Sequence, residues 1–151
     1  MTWISLSIPI GMKDLRSKLS IIPQDPVLFN GTIRTNLDPF NEHDDEKLWI
    51  SSRRSGIITA KEITCFKSID KSTPSELLPK FHLDKVVEAQ GQNFALGERQ
   101  LVSFARTMGR ESKIIILDET TSSVDYMTDN TIQKSIANEF PTVRYYVLLI
   151  D

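Results

Sequence analysis

The stretch Lys113-Ile-Ile-Ile-Leu-Asp-Glu-Thr-Thr-Ser-Ser-Val-Asp125 decides the fold. Its apolar part, Ile114 to Leu117, runs without a break into two adjacent carboxylates, Asp118 and Glu119. Isoleucine dominates that part, and β-branched side chains suit a pleated strand. The run reads as a short strand buried on both faces, as in a parallel sheet covered by helices. Each fully buried side chain of this kind contributes about 1.5–3 kcal/mol. The charges that follow cannot enter the core. In open α/β sheets ligands bind beyond the carboxyl ends of the strands. Asp118 and Glu119 are therefore expected where a ligand and a hard cation are held. An Asp-Glu pair after an apolar run is by itself an ordinary strand end meeting solvent; the neighbouring segments give it weight.

On the amino-terminal side, Gly97 to Met108 reads as a helix. Leu101, Phe104, Ala105 and Met108 fall at i, i+3, i+4 and i+7 and form one buried stripe, with Gly109 as its stop. On the carboxyl side, Asp125 can cap a further helix, in which Ile132, Ile136 and Phe140 share a face until Pro141 ends it. Thr142 to Ile150 reads as a last strand. Further upstream, Leu19 to Pro23 is a short strand followed at once by Gln24. Asn30-Gly31 is a turn signal, and Thr32 to Leu37 starts a helix that Pro39 ends. Asn41 to Arg54 fits a helix with Asn41 as its cap, acidic residues in the first turn and Arg53 and Arg54 in the last, which suits the helix dipole. Ser55 to Pro79 gives little periodic signal and reads as a variable connection, with one helical turn at Ser75 to Leu78. Trp3 to Ile10 reads as a strand or frayed start. His82 is expected to be structural and His43 solvated.

With 151 residues, 40% hydrophobic and 25% charged, the chain has room for one domain with a core. The net charge of -2 argues against a polyanion binder, so no nucleic acid is expected. The single Cys65 cannot form an internal disulfide and is read as an inert residue in a reducing compartment. No apolar run has the length of a bilayer span. The opening residues lack a basic start and a cleavage site, so they are not read as a signal peptide.

Four pieces stand in order: Ile21-Ile-Pro-Gln24, Asn93-Phe-Ala-Leu-Gly-Glu-Arg-Gln100, Ile114-Ile-Ile-Leu-Asp-Glu119 and Ser122-Ser-Val-Asp125. Their order and wording resemble the nucleotide-binding domain of ATP-binding cassette (ABC) transporters, as Q-loop, signature, Walker B strand and D-loop. The context Leu19 to Pro39 is similar to exporters, in particular the second cassette of the multidrug-resistance-associated (C) subfamily and its fungal members. The fold class implied is α/β: a partial P-loop NTPase-like parallel sheet with an α-helical signature subdomain. The implied division is one partial domain over 1–151, with 1–30 as sheet and Q-loop part, 31–109 mainly helical, and 110–151 carrying Walker B and D-loop.

The resemblance implies ATP and Mg²⁺ as cofactors. Asp118 would hold Mg²⁺, with Gln24 able to sense the metal-bound water or the γ-phosphate. Glu119 would polarise the attacking water and is the catalytic candidate. Phe94, Ala95, Leu96, Gly97 and Glu98, with Ser122 and Asp125, would face the ATP held by an opposite cassette. There, backbone N–H groups at a helix start can meet phosphate and Gly97 allows close approach. The implied partners are a second nucleotide-binding domain and transmembrane domains, at the cytoplasmic face of a membrane or in the cytoplasm. The sequence departs from the family at Ala95, which stands where the signature usually has serine. A lost hydroxyl bond to phosphate costs about 0.5–1.5 kcal/mol. Leu96 and Glu98 replace the Gly and Gln of the generic signature.

A P-loop needs Gly-x-x-x-x-Gly-Lys-Ser/Thr, and none of the six glycines is followed by lysine. No Walker A strand-loop-helix is therefore expected in these residues, and the family's switch histidine is not found after the last strand. The expectation is a partial exporter cassette, truncated at both ends and inactive alone. The alternative is a non-catalytic binding module that docks on a complete cassette through its signature face. A chromosome-maintenance ATPase shares the signature and Walker B, but the exporter-type surroundings of Gln24 disfavour it.

Overall fold

The computed structural model describes residues 11, 12, 14, 18–23, 25–110, 112, 114–118 and 144–148. Gln24, Glu119, Ser122 and Asp125 lie outside the described residues, as do the helix expected after Asp125 and the strand expected at Trp3 to Ile10.

The apolar run does form a strand, and among the described residues it is the middle one of its sheet. Strands β1 (Leu19–Ile22), β4 (Ile114–Asp118) and β5 (Arg144–Leu148) make a parallel sheet in the order β1-β4-β5. Ile116 pairs with Ile21 on one side and Tyr146 on the other, and Asp118 is level with Leu148. All three strands therefore end at the same edge. Ile22 and Ile115 are fully buried and pack with Phe104 and Met108. The expected burial of β4 on both faces is met on one: Ile114 and Ile116, which point opposite to Ile115, are half-buried.

Between β1 and β4 the chain is mainly helical. The elements are β2 (Gly31–Thr32), α1 (Ile33–Leu37), α2 (Asp45–Arg54), α3 (Ala60–Lys67), β3 (Val86–Val87) and α4 (Leu96–Gly109). β2 and β3 pair antiparallel, and the next two amides, of Ile33 and Arg34, donate to the carbonyls of Lys85 and Leu83. A second core collects Leu28, Ile33, Leu37, Leu48, Trp49, Phe66, Leu83, Val87 and Phe94. Helix α4 joins the two cores: Phe104 and Met108 face the sheet, while Val102 and Ala105 face the helical part.

Four local expectations are corrected. Asn41 does not cap α2. It adopts φ 54 within a turn built on Asp38, whose carboxylate accepts from the His43 amide at 2.7 Å. Asp44 is the cap, accepting from the Lys47 amide at 2.9 Å. The uninformative stretch holds α3, capped reciprocally by Thr59 and Glu62, with Phe66 as its one buried residue. Gly109 is the last residue of α4 and has no left-handed φ; the helix stops at Arg110. His82 is buried against Trp49 and Phe66, with ring centroids 5.7 and 5.9 Å away, and His43 is half-buried rather than solvated. Cys65 is exposed.

Candidate functional site

Two places carry the candidate residues. The first is the carboxyl edge of the parallel sheet. Asp118 is the last residue of its central strand, the position at which such sheets meet ligands. A carboxylate there is a hard oxygen donor of the kind Mg²⁺ takes, one or two at a time with water and phosphate completing the shell. Pro23 and Asp25, on either side of Gln24, follow directly from the end of β1 at the same edge.

The second is the start of α4. Asn93 fixes the approach: its Oδ1 accepts from the Glu88 amide at 3.1 Å and its Nδ2 donates to the Val86 carbonyl at 2.9 Å. Gly91, at φ 70, lets this loop pass close to Leu28 and Arg99; a Cβ there would lie 3.0 Å from Leu28 Cβ. Phe94 is buried, packs on Phe81 at 5.9 Å and anchors the loop to the helical core. Ala95 is the cap residue with extended backbone. It has no polar side chain, so only half of a capping box forms: Glu98 Oε2 accepts from the Ala95 amide at 2.7 Å. The first bond of the helix runs from the Arg99 amide to the Ala95 carbonyl at 3.0 Å. The amides of Leu96, Gly97 and Glu98 precede it and have no acceptor within the helix. They form, with the helix dipole, a face suited to an anion.

Two arginines tie α4 to the rest. Arg99 reaches the Gln90 carbonyl at 3.3 Å and Asp25 Oδ1 at 3.4 Å, linking the start of α4 to the loop after β1. Arg106 is largely buried, and desolvation, with nearby Arg110, lowers its pKa. It donates to the Asn36 carbonyl and lies 5.4 Å over the Phe29 ring. A cleft of about 600 Å³ opens beside it, lined by Ile21, Val27, Phe29, Phe40, Arg106 and others. A second, of about 470 Å³, lies among Arg34, Trp49, Phe66, His82 and neighbouring charged residues. Among the described residues, Phe94 to Glu98 line neither cleft.

The family model described as "ABC transporter" matches residues 4–122. This chain belongs to the ABC transporter family. It is 54% identical over 133 residues to the oligomycin resistance ATP-dependent permease YOR1 of Saccharomyces cerevisiae, covering 87% of this chain and 9% of that protein. It is 45% identical over 140 residues to human ATP-binding cassette sub-family C member 4, covering 91% of this chain and 9% of that protein. In fold it is similar to a bacterial Atm1-family ABC exporter with ATP bound, with TM-score 0.68 and 24% identity, covering 91% of this chain and 22% of that one. This ABC transporter chain thus spans about a tenth of the length of these curated relatives. The family binds ATP, usually with Mg²⁺. Among the described residues no helix is long and apolar enough to cross a membrane.

Of the residues expected at the site, Phe94 to Glu98 are brought together at the start of α4, and Asp118 stands separately at the sheet edge. Sequence reasoning missed Lys80. Its Nζ lies 2.7 Å from Glu98 Oε2 and 5.4 Å from the centre of the Phe94 ring. No local pattern marks that lysine, because its partners come from a segment beyond β3.

Proposed function

We propose that this chain is the signature- and Walker B-bearing part of the second cassette of a C-subfamily ABC exporter. ATP binding and hydrolysis between two cassettes would drive transport through transmembrane domains, with the cassette at the cytoplasmic face. The observation that carries the reading is the start of α4: amides without helical acceptors on a surface that neither cleft encloses. Such a surface suits a ligand presented by another subunit. In this reading Asp118 and Gln24 hold or sense Mg²⁺, and Glu119 acts on water. Ser122 and Asp125 line the partner's nucleotide alongside Phe94 to Glu98. Residues 1–30 and 110–151 belong to the sheet side and 31–109 to the signature subdomain.

These residues carry no P-loop sequence, so the chain by itself would neither hold ATP tightly nor hydrolyse it. The test is a MgATP titration of the isolated chain, repeated with a complete cassette present. No binding in the micromolar range alone, and nucleotide-dependent association with the complete cassette, is the expected pair of results. Micromolar MgATP binding by the isolated chain would refute the reading.

A further inference from the structure

We infer that Lys80 is a positioning residue of the signature face: by pairing with Glu98 it cancels the carboxylate carried there and keeps the start of α4 attractive to the terminal phosphate of ATP held by a partner cassette. This rests on the reading of that surface given under Proposed function.

The helix start carries about half a positive charge, concentrated on its first amides. Glu98 lies in that first turn and brings a full negative charge. Alone it would reverse the sign of the surface and repel phosphate. Lys80 Nζ and the Ala95 amide both contact the same oxygen, Glu98 Oε2, each at 2.7 Å. The carboxylate is thus held back on the cap and neutralised at once. The other cation of the segment, Arg99, is turned to Gln90 and Asp25 and does not supply this charge. Lys80 is kept in place by the aromatic pair beneath it, since Phe94 is buried and packed on Phe81. Its side chain remains 46% exposed and that of Glu98 27% exposed, so a docking partner can reach the pair.

The experiment measures capture of the 151-residue chain by a complete C-subfamily cassette loaded with MgATP or MgADP. Lys80→Met, which keeps the stem over Phe94, is expected to weaken ATP-dependent capture about threefold, the scale of a partly exposed charge contact. The MgADP complex is expected to show no such penalty. Adding Glu98→Gln to Lys80→Met removes the uncancelled carboxylate and is expected to recover ATP-dependent capture relative to Lys80→Met alone. Circular dichroism of each variant separates loss of fold from loss of charge. An unchanged Lys80→Met, a penalty equal with both nucleotides, or a penalty that persists in the double variant would overturn the role of Lys80. If the parent chain is not captured with either nucleotide, the signature reading itself fails, and the inference with it.

Discussion

Arg106 Nε, on the helix that begins at the signature, donates to the main-chain oxygen of Asn36 at 2.6 Å. Asn36 is fully buried and spends its own amide on the turn before α1. Its Oδ1 accepts from the Phe29 amide at 2.7 Å, and its Nδ2 donates to the carbonyls of Phe29 and Thr32 at 2.8 and 2.9 Å. The pair fastens the segment after β1 to α4. Replacing Asn36 by Ala leaves the part-buried amide and carbonyl of Phe29 without this partner, at about 1–3 kcal/mol for each that finds no water. Arg106→Lys is not a rescue, because the guanidinium also reaches Asn36 Oδ1 and covers Phe29. Urea midpoints at constant m-value check this: both variants should unfold earlier, Asn36→Ala the more so.

The sheet was legible from residue type alone. β4 is a short, isoleucine-rich run bounded by charge and β1 a short run stopped by Pro23, and both neighbours of β4 pair with it in parallel. Helix α4 was legible because its apolar stripe has the helical period. Helix α3 was not: it is short and buries only Phe66, so its periodic signal is thin. The Thr59-x-x-Glu62 spacing was the usable clue. The start of α2 was misplaced because Asn41 and Asp44 are both good caps by type. The choice between them is made by Asp38, whose hydrogen bonds hold residues 38–43 in a turn. At the site, Phe94 to Glu98 are contiguous and so readable, whereas Lys80 joins them only through the tertiary fold.

Helix α3 makes a prediction about acid. Glu62 accepts from the Thr59 amide and hydroxyl, both at 2.7 Å, and these bonds hold its pKa below the ordinary carboxylate value. A carboxyl whose folded pKa is depressed stabilises the fold above its unfolded pKa, and that contribution is lost as pH falls through the folded value. Asp38 behaves alike: desolvation pushes its pKa up, but amides of Glu42, His43 and Phe40, with the charge of His43, outweigh it. Stability should therefore decline as pH drops through the carboxylate range. Glu62→Gln should flatten that decline, and Thr59→Ala should cost about 0.5–2 kcal/mol at neutral pH. Denaturation midpoints followed from neutral to acid pH measure both; an unchanged slope in Glu62→Gln would remove Glu62 from the acid response.

Ala95 is a poor cap, and the repair is a single hydroxyl. Serine at this position can accept from the Glu98 amide, completing the box of which Glu98 already forms half. Ala95→Ser is expected to stabilise the chain by about 0.5–1 kcal/mol. Under the proposed function it should also strengthen ATP-dependent association with a complete cassette, about twofold to tenfold for one regained hydrogen bond. Thermal melts and association assays separate the two effects. A gain in stability without a gain in association would mean that the hydroxyl does not face nucleotide.

In the sequence Glu119 directly follows Asp118, the last residue of β4. Under the proposed function Glu119 would take a proton from attacking water while Asp118 would serve the metal, a division of labour that needs two adjacent acids with different tasks. Glutamine keeps the size and a hydrogen-bonding oxygen but cannot act as a base. In a complete cassette pair containing this segment, Glu119→Gln should slow hydrolysis by about 10²–10⁴ and leave ATP affinity unchanged. Asp118→Asn should instead weaken Mg²⁺-dependent nucleotide binding, because a neutral amide is a weaker ligand for a hard cation. Steady-state turnover and nucleotide affinity, measured at several Mg²⁺ concentrations, distinguish the two residues. Unchanged turnover in Glu119→Gln would strip it of the catalytic role, and a Mg²⁺ dependence shifted by Glu119→Gln rather than Asp118→Asn would exchange the assignments.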